Sequence, residues 1–557
     1  MTEEQKNVLE KGFSKDMANS LATNELLAGF GKSLPPILPE FLAQRRWFGG
    51  KARVIQSVEV SDVVPLLSLD PEVYLFLIDI EYTAGLGETY ALPLRLAMDE
   101  EQFPRGEPAP SLRTAWGNGS RKIVLYDALS NPPFLTFLLE AVARGHRFTG
   151  VRGEVRAIPA AVLRSIWEPS QGPLAPSLMK GEQSNSSIVY AKRLMLKLFR
   201  RLEEGLNPDL EIGSFLTEKT EFRNVPTLAG HLEYVSNDGK RSTLGILQSY
   251  VPNYGDAWQY TLKQLAAYYE QAQSAAGIHL GEIPHAPILA LADWEVPSDA
   301  TQRIGSYLES ARLLGVRTAQ LHIALSATRD QPAFAPEPFT GVHQRELVKS
   351  TLDLITRTFQ SLRQQRERLP QGVREEAIKV LKLEERLRQH VSVLEGFKIS
   401  AMRTRIHGDY HLGQVLFTGD DFVIIDFEGE PARPLRERRS KNSPLQDVAG
   451  MLRSFHYAAY APLLAEISGR EVTQEGLNSL EIWAQYWQTW VSATFLKAYL
   501  GTSGSASSLP QSREELAVLL DAYVITKAVY ELGYELNNRP RWLRIPLQGV
   551  SKLLDAA

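Results

Sequence analysis

The 557-residue sequence contains no cysteine. Disulfides and cysteine-ligated zinc are therefore excluded, and a reducing compartment suits the composition. Long apolar runs are missing too: none approaches the roughly 18 residues that would span a bilayer. The polar N-terminus, Met1 to Asn7, lacks the basic-then-apolar plan of a signal peptide. These absences lead us to expect a cytoplasmic protein with no membrane partner. Charge of one sign is also lacking, with 61 Lys and Arg against 65 Asp and Glu and a net charge of −4. No polyanion-binding surface follows from that balance, so nucleic acid is not an expected partner. What is present is ordinary for a globular chain, at 44% hydrophobic and 23% charged residues. The length allows about two to four compact units.

The chemistry concentrates in residues 406–428. His407-Gly408-Asp409 stands five residues before Gln414, and the apolar run Phe422 to Ile425 ends at Asp426-Phe427-Glu428. Val415 to Phe417, the turn Thr418 to Asp421 and the second apolar run predict strand, tight turn and strand. Such a hairpin brings Asp409, Gln414 and Asp426 to one end. A carboxylate base beside two oxygen ligands is what a Mg²⁺-nucleotide phosphotransferase needs. Protein kinases use H-R-D-x-x-x-x-N followed by D-F-G, and here the pattern is H-G-D-x-x-x-x-Q and D-F-E. Gln414 keeps an amide oxygen on a longer arm. Glu428 replaces a glycine, a departure from the kinase pattern.

The stretch upstream reads as a strand-rich half. Residues 1–30 form a polar lead-in and 31–150 a β-rich cap. Within the cap, strands over 53–66 and 73–98 turn at Gly85-Leu86-Gly87, and a strand and a helix follow over 121–144. Arg45 to Lys51 contains Trp47-Phe48-Gly49-Gly50, which reads as an aromatic anchor in preference to a phosphate loop, since the G-x-x-x-x-G-K-[ST] frame is absent. Residues 151–254 form a nucleotide-binding sheet and helix. There the polar stretch 181–187 places Ser184, Asn185, Ser186 and Ser187 in a loop over the ATP phosphates. Lys197 sits inside the apolar strand Leu194 to Phe199, where an ammonium needs a partner. Asn207 caps a helix with Pro208 at its first position. Glu211 in that first turn is the expected partner of Lys197. The backbone around Gln248, Tyr250 and Val251 is expected to contact adenine, from its order in the chain.

Residues 255–557 read as helical. Helices are expected over 256–275 and 306–327, the latter with Leu313, Val316, Leu321 and Leu325 toward the core. Two more are expected over 343–368 and 371–395. His322 reads as a packed histidine, and Trp483, Trp487 and Trp490 as core. The basic run Arg433 to Lys441 reads as a solvated loop with a place near phosphate as its alternative. Residues 501–512 read as a flexible surface loop. Tyr530, Glu531, Tyr534 and Glu535 recur at helical spacing, and aromatic planes beside carboxylates suit a sugar.

Taken together, His407 to Gln414, Ile425 to Pro431, Glu437 to Arg453, Gln44 to Lys51 and Asn538 to Leu543 resemble bacterial maltokinases across about residues 35–550. The resemblance implies an α+β, bilobal protein-kinase-like fold with a β-rich N-terminal cap subdomain, a small nucleotide-binding sheet lobe and a mostly helical C-lobe. It implies transfer of phosphate from ATP to the anomeric hydroxyl of maltose, feeding α-glucan synthesis. In that reading Asp409 handles the acceptor hydroxyl, and Gln414, Asp426 and Glu428 hold Mg²⁺. His411 joins the sugar site, while His407 and Asp447 support the loop. Association or fusion with a trehalose synthase is a further implication, this chain being either standalone or the kinase half of such a fusion. The alternatives are a kinase of another sugar or an aminoglycoside, and an inactive kinase-like binding module. Intact Lys197, Asp409 and Asp426 argue against the last.

Overall fold

Alternating apolar residues dominate the first half of the chain and helical spacing the second. The computed structural model follows that division. It describes residues 25, 27–67, 73–97, 111–116, 121–179, 184–274, 280–469 and 474–555. Most of the polar lead-in, and residues 181–183 of the expected phosphate loop, lie outside the described residues. The chain divides into two compact units, Met1–Ser214 with Pro226–Pro252, and Phe215–Val225 with Asn253–Ala557.

The first unit holds two antiparallel sheets. Strands β1 (Ile55–Leu67), β2 (Val73–Tyr82), β3 (Glu88–Ala97), β4 (Ser111–Trp116) and β5 (Arg121–Asp127) run in the order β1-β2-β3-β5-β4. β2 is buried on both faces, which explains its unbroken apolar run. Tyr74, Phe76, Ile78 and Ile80 meet Phe30, Leu34, Leu38 and Phe48 on one side, while Val73, Leu75 and Leu77 join the core on the other. The Trp-Phe-Gly-Gly stretch belongs to this first core. The rings of Trp47 and Phe48 lie 5.9 and 5.3 Å from Tyr90, and a Cβ on Gly50 would collide with Tyr82 and Phe48. The glycines serve close packing. The helix Pro132–Arg144 starts on the Asn131 side chain, which accepts from Phe134 N at 3.0 Å, and stops at Gly145 with φ +66°.

The second sheet comprises β6 (Arg147–Thr149), β7 (Gly153–Pro159), β8 (Pro176–Leu178), β9 (Asn185–Tyr190), β10 (Leu194–Phe199), β12 (Leu228–Ser236) and β13 (Arg241–Ser249), ordered β6-β7-β12-β13-β10-β9-β8. The short β11 (Arg201–Leu202) pairs with β3 of the first sheet. Buried Asp62 on β1 accepts from Val151 N, Arg152 N and the Tyr234 hydroxyl at 2.9, 3.0 and 2.7 Å, pinning the start of the second sheet. The polar residues Asn185 to Ser187 are ladder members of β9, paired with Phe199, Leu198 and Lys197, where a loop was expected. Their side-chain hydroxyls and amide do not forbid a strand once the neighbouring strand satisfies the backbone.

The second unit packs helices around one small hairpin. The helix Tyr307–Leu325 buries Leu314, Thr318, Leu321 and Leu325, whereas the expected Leu313 and Val316 are only half-buried. The reason is Gly315, whose missing Cβ lets the backbone at Phe495 on the helix Gln474–Ser503 approach. Gly341–Gln365 is one helix, but 371–395 is broken into Gln371–Leu381 and Glu384–Ser392. Trp483, Trp487 and Trp490 are core residues as expected. The expected flexible loop 501–512 is instead anchored: its first residues continue the long helix, Ser508 and Leu509 are buried, and Ser507 O accepts from Met402 N at 2.8 Å. Among the described residues no helix is long and apolar enough to cross a membrane.

Candidate active site

The hairpin pairs Val415–Phe417 with Phe422–Ile424 in the register Val415↔Ile424, Leu416↔Val423 and Phe417↔Phe422. One step beyond, Ile425 N donates to Gln414 O at 3.0 Å. The register thus delivers Gln414 and Asp426 to the same end, as the spacing predicts. Asp426 carries φ +66°, a left-handed conformation that costs a side-chain-bearing residue about 1–2 kcal/mol. Strain of this kind is kept where a particular side chain must face a particular way.

The two motif loops meet on glycines. Gly408 has φ +85°, Gly429 has φ +72°, and a Cβ on Gly408 would lie 3.4 Å from Gly429 Cα. His407 locks the pair together. Its Nε2 donates to Ile425 O at 2.9 Å, and its ring lies 5.0 Å from buried Phe427. Asp447 holds the other side, accepting from His407 N at 2.8 Å and Gly408 N at 2.9 Å. The partner of Asp447 is His322, 3.1 Å away and 3.0 Å from the Tyr499 hydroxyl. Burial pushes the Asp447 carboxyl up, but the His322 bond, nearby histidines and backbone N–H groups outweigh it and hold it below the ordinary value. The packed role expected of His322 is therefore a support for the loop that carries Asp409.

Around Asp409 the structure assembles Lys527 and Glu430, which the sequence did not single out, with Tyr530 and His411, which it did. Lys527 Nζ lies 3.4 Å from Asp409 Oδ1 and 4.0 Å from Glu430 Oε2. Tyr530 donates to Glu430 Oε1 at 2.7 Å. Burial opposes the Lys527 charge, but Asp409, Glu430 and Glu531 overcome it and raise its pKa above the ordinary lysine value. His411 Nε2 is 3.9 Å from Asp409, and its Nδ1 accepts from Gly413 N at 3.0 Å. Burial holds the His411 pKa down, against the pull of Asp409. The helical spacing of Lys527 and Tyr530 was the available signal for the lysine. Glu430 lies two residues beyond Glu428.

Two members of the expected sugar face have other partners. Glu531 is in an ion pair with Arg453 at 2.7 Å, and Glu535, 1% exposed, binds Arg539 at 2.6 Å. Glu531 ties the helix Arg513–Asn538 to the helix Leu445–Gly469, and Glu535 pairs with the residue that caps its own helix. Tyr534 is exposed, and its ring centroid lies 6.4 Å from that of Tyr530. The basic run is not simply solvated: Arg438 Nη1 donates to Glu428 O at 3.0 Å, and Lys441 pairs with Glu337 at 2.5 Å.

In the first unit, Lys197 Nζ lies 3.2 Å from Asp209 Oδ2. Asp209 is a carboxylate in the same helical turn as Glu211, and its own N–H is capped by Asn207 Oδ1 at 2.8 Å. Ser187 is directly across the ladder from Lys197. Alternation turns Ser186 to the opposite face, where it accepts from Arg200 Nε at 3.0 Å. The turn joining β9 to β10 puts Ala191 and Lys192 at φ +48° and +55°, as a tight hairpin requires. Gln248 is buried on β13, and Tyr250 N donates to Arg193 O at 2.9 Å. Ser184 occupies the bend before β9. The amide of Gln414 and the carboxylates of Asp426 and Glu428 are hard oxygen donors, the set that Mg²⁺ takes.

A family model for the maltokinase N-terminal cap domain matches residues 41–130, and one for the phosphotransferase enzyme family matches residues 289–481. A glucosamine kinase of Mycolicibacterium smegmatis is 24% identical over 377 residues, 67% of this chain and 78% of that protein. A glucosamine kinase of Streptacidiphilus jiangxiensis is 24% identical over 275 residues, 48% of this chain and 55% of that protein. A solved glucosamine kinase in complex with glucosamine, ADP and inorganic phosphate shares the fold, with a TM-score of 0.55 at 16% identity, covering 92% of this chain and 98% of that one. A second crystal form of glucosamine kinase gives 0.57 at 17% identity. The chain therefore has the kinase-like fold of these structures, with residues 41–130 similar to the maltokinase N-terminal cap domain and residues 289–481 similar to the phosphotransferase enzyme family.

Proposed function

We propose that the chain transfers the γ-phosphoryl group of ATP to a hydroxyl of a neutral sugar, and that this sugar is maltose, phosphorylated at its anomeric position to give maltose 1-phosphate and ADP. The observation that carries the reading is the charge around Asp409. The Asp409 carboxylate, 3.4 Å from the Lys527 ammonium, is positioned to take the proton of an acceptor hydroxyl. As the acceptor oxygen bonds to the γ-phosphorus, its proton passes to Asp409 and the bond to the β-phosphate oxygen breaks. Lys527, Glu430, Tyr530 and His411 offer the hydroxyls of a neutral sugar both donors and acceptors. The maltokinase-type cap supports the choice of maltose.

On the donor side, Lys197, steadied by Asp209 with Glu211 in the same turn, neutralises the phosphates. Ser184, Asn185 and Ser187 lie next to them, and the backbone from Gln248 through Tyr250 to Val251 takes adenine. Gln414, Asp426 and Glu428 would hold Mg²⁺, which when bound supplies positive charge to the phosphate oxygens. Catalysis is then positioning and charge stabilisation. The setting is cytoplasmic, and a trehalose synthase would serve as a partner supplying maltose for α-glucan synthesis.

A second reading takes glucosamine as acceptor, because the curated relatives bear that name. The test is ADP release with ATP, Mg²⁺ and each of maltose, glucosamine, glucose, trehalose, kanamycin or no acceptor. Maltose-dependent release with a phosphorylated disaccharide by mass supports the first reading. Preference for glucosamine replaces it with the second, and no release with any acceptor from folded protein removes both.

A further inference from the structure

The second unit contains a cavity of about 340 Å³, within the range of small-molecule sites. Its walls come from the helices Leu445–Gly469, Gln474–Ser503, Arg513–Asn538 and Arg544–Asp555, together with the segment 284–291. None of the residues assigned to phosphoryl transfer lines it.

Its polar lining is not internally satisfied. His456, 3% exposed, has no hydrogen-bond partner at either ring nitrogen, and Ser492, 1% exposed, has none at its hydroxyl. A buried polar group left unpaired costs about 1–3 kcal/mol, so three such atoms around one cavity call for a ligand that pairs them. The charges are lopsided as well. Arg453 is matched by Glu531, and the carboxylate on the wall, Asp521, lies 3.8 Å from His390. Lys552 donates to the Tyr460 hydroxyl and has no carboxylate within ion-pair reach among the described residues. Burial lowers its pKa to about 8, as expected of an ammonium short of counter-charge. Gln485 and Gln488 add amides that both donate and accept.

We propose that this cavity is a second ligand site, separate from the phosphoryl-transfer site, that takes a small polyhydroxylated anion of the sugar-phosphate class. The anionic group would pair with Lys552 and His456, and the hydroxyls with Gln485, Gln488 and Ser492.

The test uses glucose 6-phosphate as probe, with glucose and inorganic phosphate as controls, on the full chain. Millimolar glucose 6-phosphate should raise Tm by about 2 °C or more in the wild type. The rise should persist in Lys527→Met, which alters the acceptor side, and vanish in Lys552→Met. No rise in the wild type, an equal rise in Lys552→Met, or loss of the rise in Lys527→Met would each overturn the proposal. A second measurement exploits the absence of cysteine: Ser492→Cys supplies a unique thiol in a near-isosteric variant. At ten times its Kd, glucose 6-phosphate should slow labelling of that thiol about tenfold. Labelling at an unchanged rate would contradict occupancy of the cavity.

Discussion

Asp426 pays a conformational cost for its position, and that cost can be measured. With φ at +66°, a glycine fits its backbone better than any residue with a Cβ. Asp426→Gly should therefore be more stable than Asp426→Ala by about 1 kcal/mol in urea unfolding, while both lose phosphoryl transfer. Equal stability of the two variants would mean that the backbone there is unstrained. Lys527 gives a second residue-scale expectation. Its pKa is raised by Asp409 and Glu430. The stabilisation from that pairing is thus fully present below the ordinary lysine value of about 10.4 and is lost as pH rises through the higher folded value. The stability gap between wild type and Lys527→Met should hold up to about pH 10 and narrow above it, and a gap that stays constant above about pH 10 would contradict the pairing. Asp409 and Asp426 were legible in the sequence because the chemistry requires those side chains at that spacing. Lys527 was not, because it reaches Asp409 from more than a hundred residues away, and its helical spacing from Tyr530 was its one local mark.

The element that matters most to the catalytic loop is the helix Leu445–Gly469, which presents Asp447 and Gly450 to it. Removing the Asp447 carboxylate strips the acceptor from two backbone N–H groups and from His322. Asp447→Ala should cost about 3 kcal/mol or more in chemical denaturation. Gly450 faces the Tyr410 carbonyl, and a Cβ there would collide with it. Gly450→Ala should displace the loop next to Asp409, lowering turnover and costing about 1–3 kcal/mol, and wild-type turnover from that variant would contradict the contact. The hairpin 415–424 was readable from apolar runs and a turn, since both are local signals. The strand character of Asn185 to Ser187 was not, because a neighbouring strand overrode residues that prefer loops. The broken helix at Lys382 and Leu383 was likewise hidden, since no proline or glycine marks it.

At the scale of the molecule, a β-rich cap precedes a nucleotide-type sheet and a helical unit, and the division was visible in the change of apolar period from two to 3.6. The acceptor was not equally visible, because sugar selectivity lies in contacts spread over several elements. The claim that joins the scales is that Asp409 takes the proton of a neutral sugar hydroxyl. The most direct test is maltose-dependent ADP release by wild type and Asp409→Asn, with ATP binding measured in parallel. The predicted result is turnover in the wild type and a loss of about 100-fold or more in the variant at unchanged ATP affinity. Near-normal turnover from Asp409→Asn would contradict the assignment.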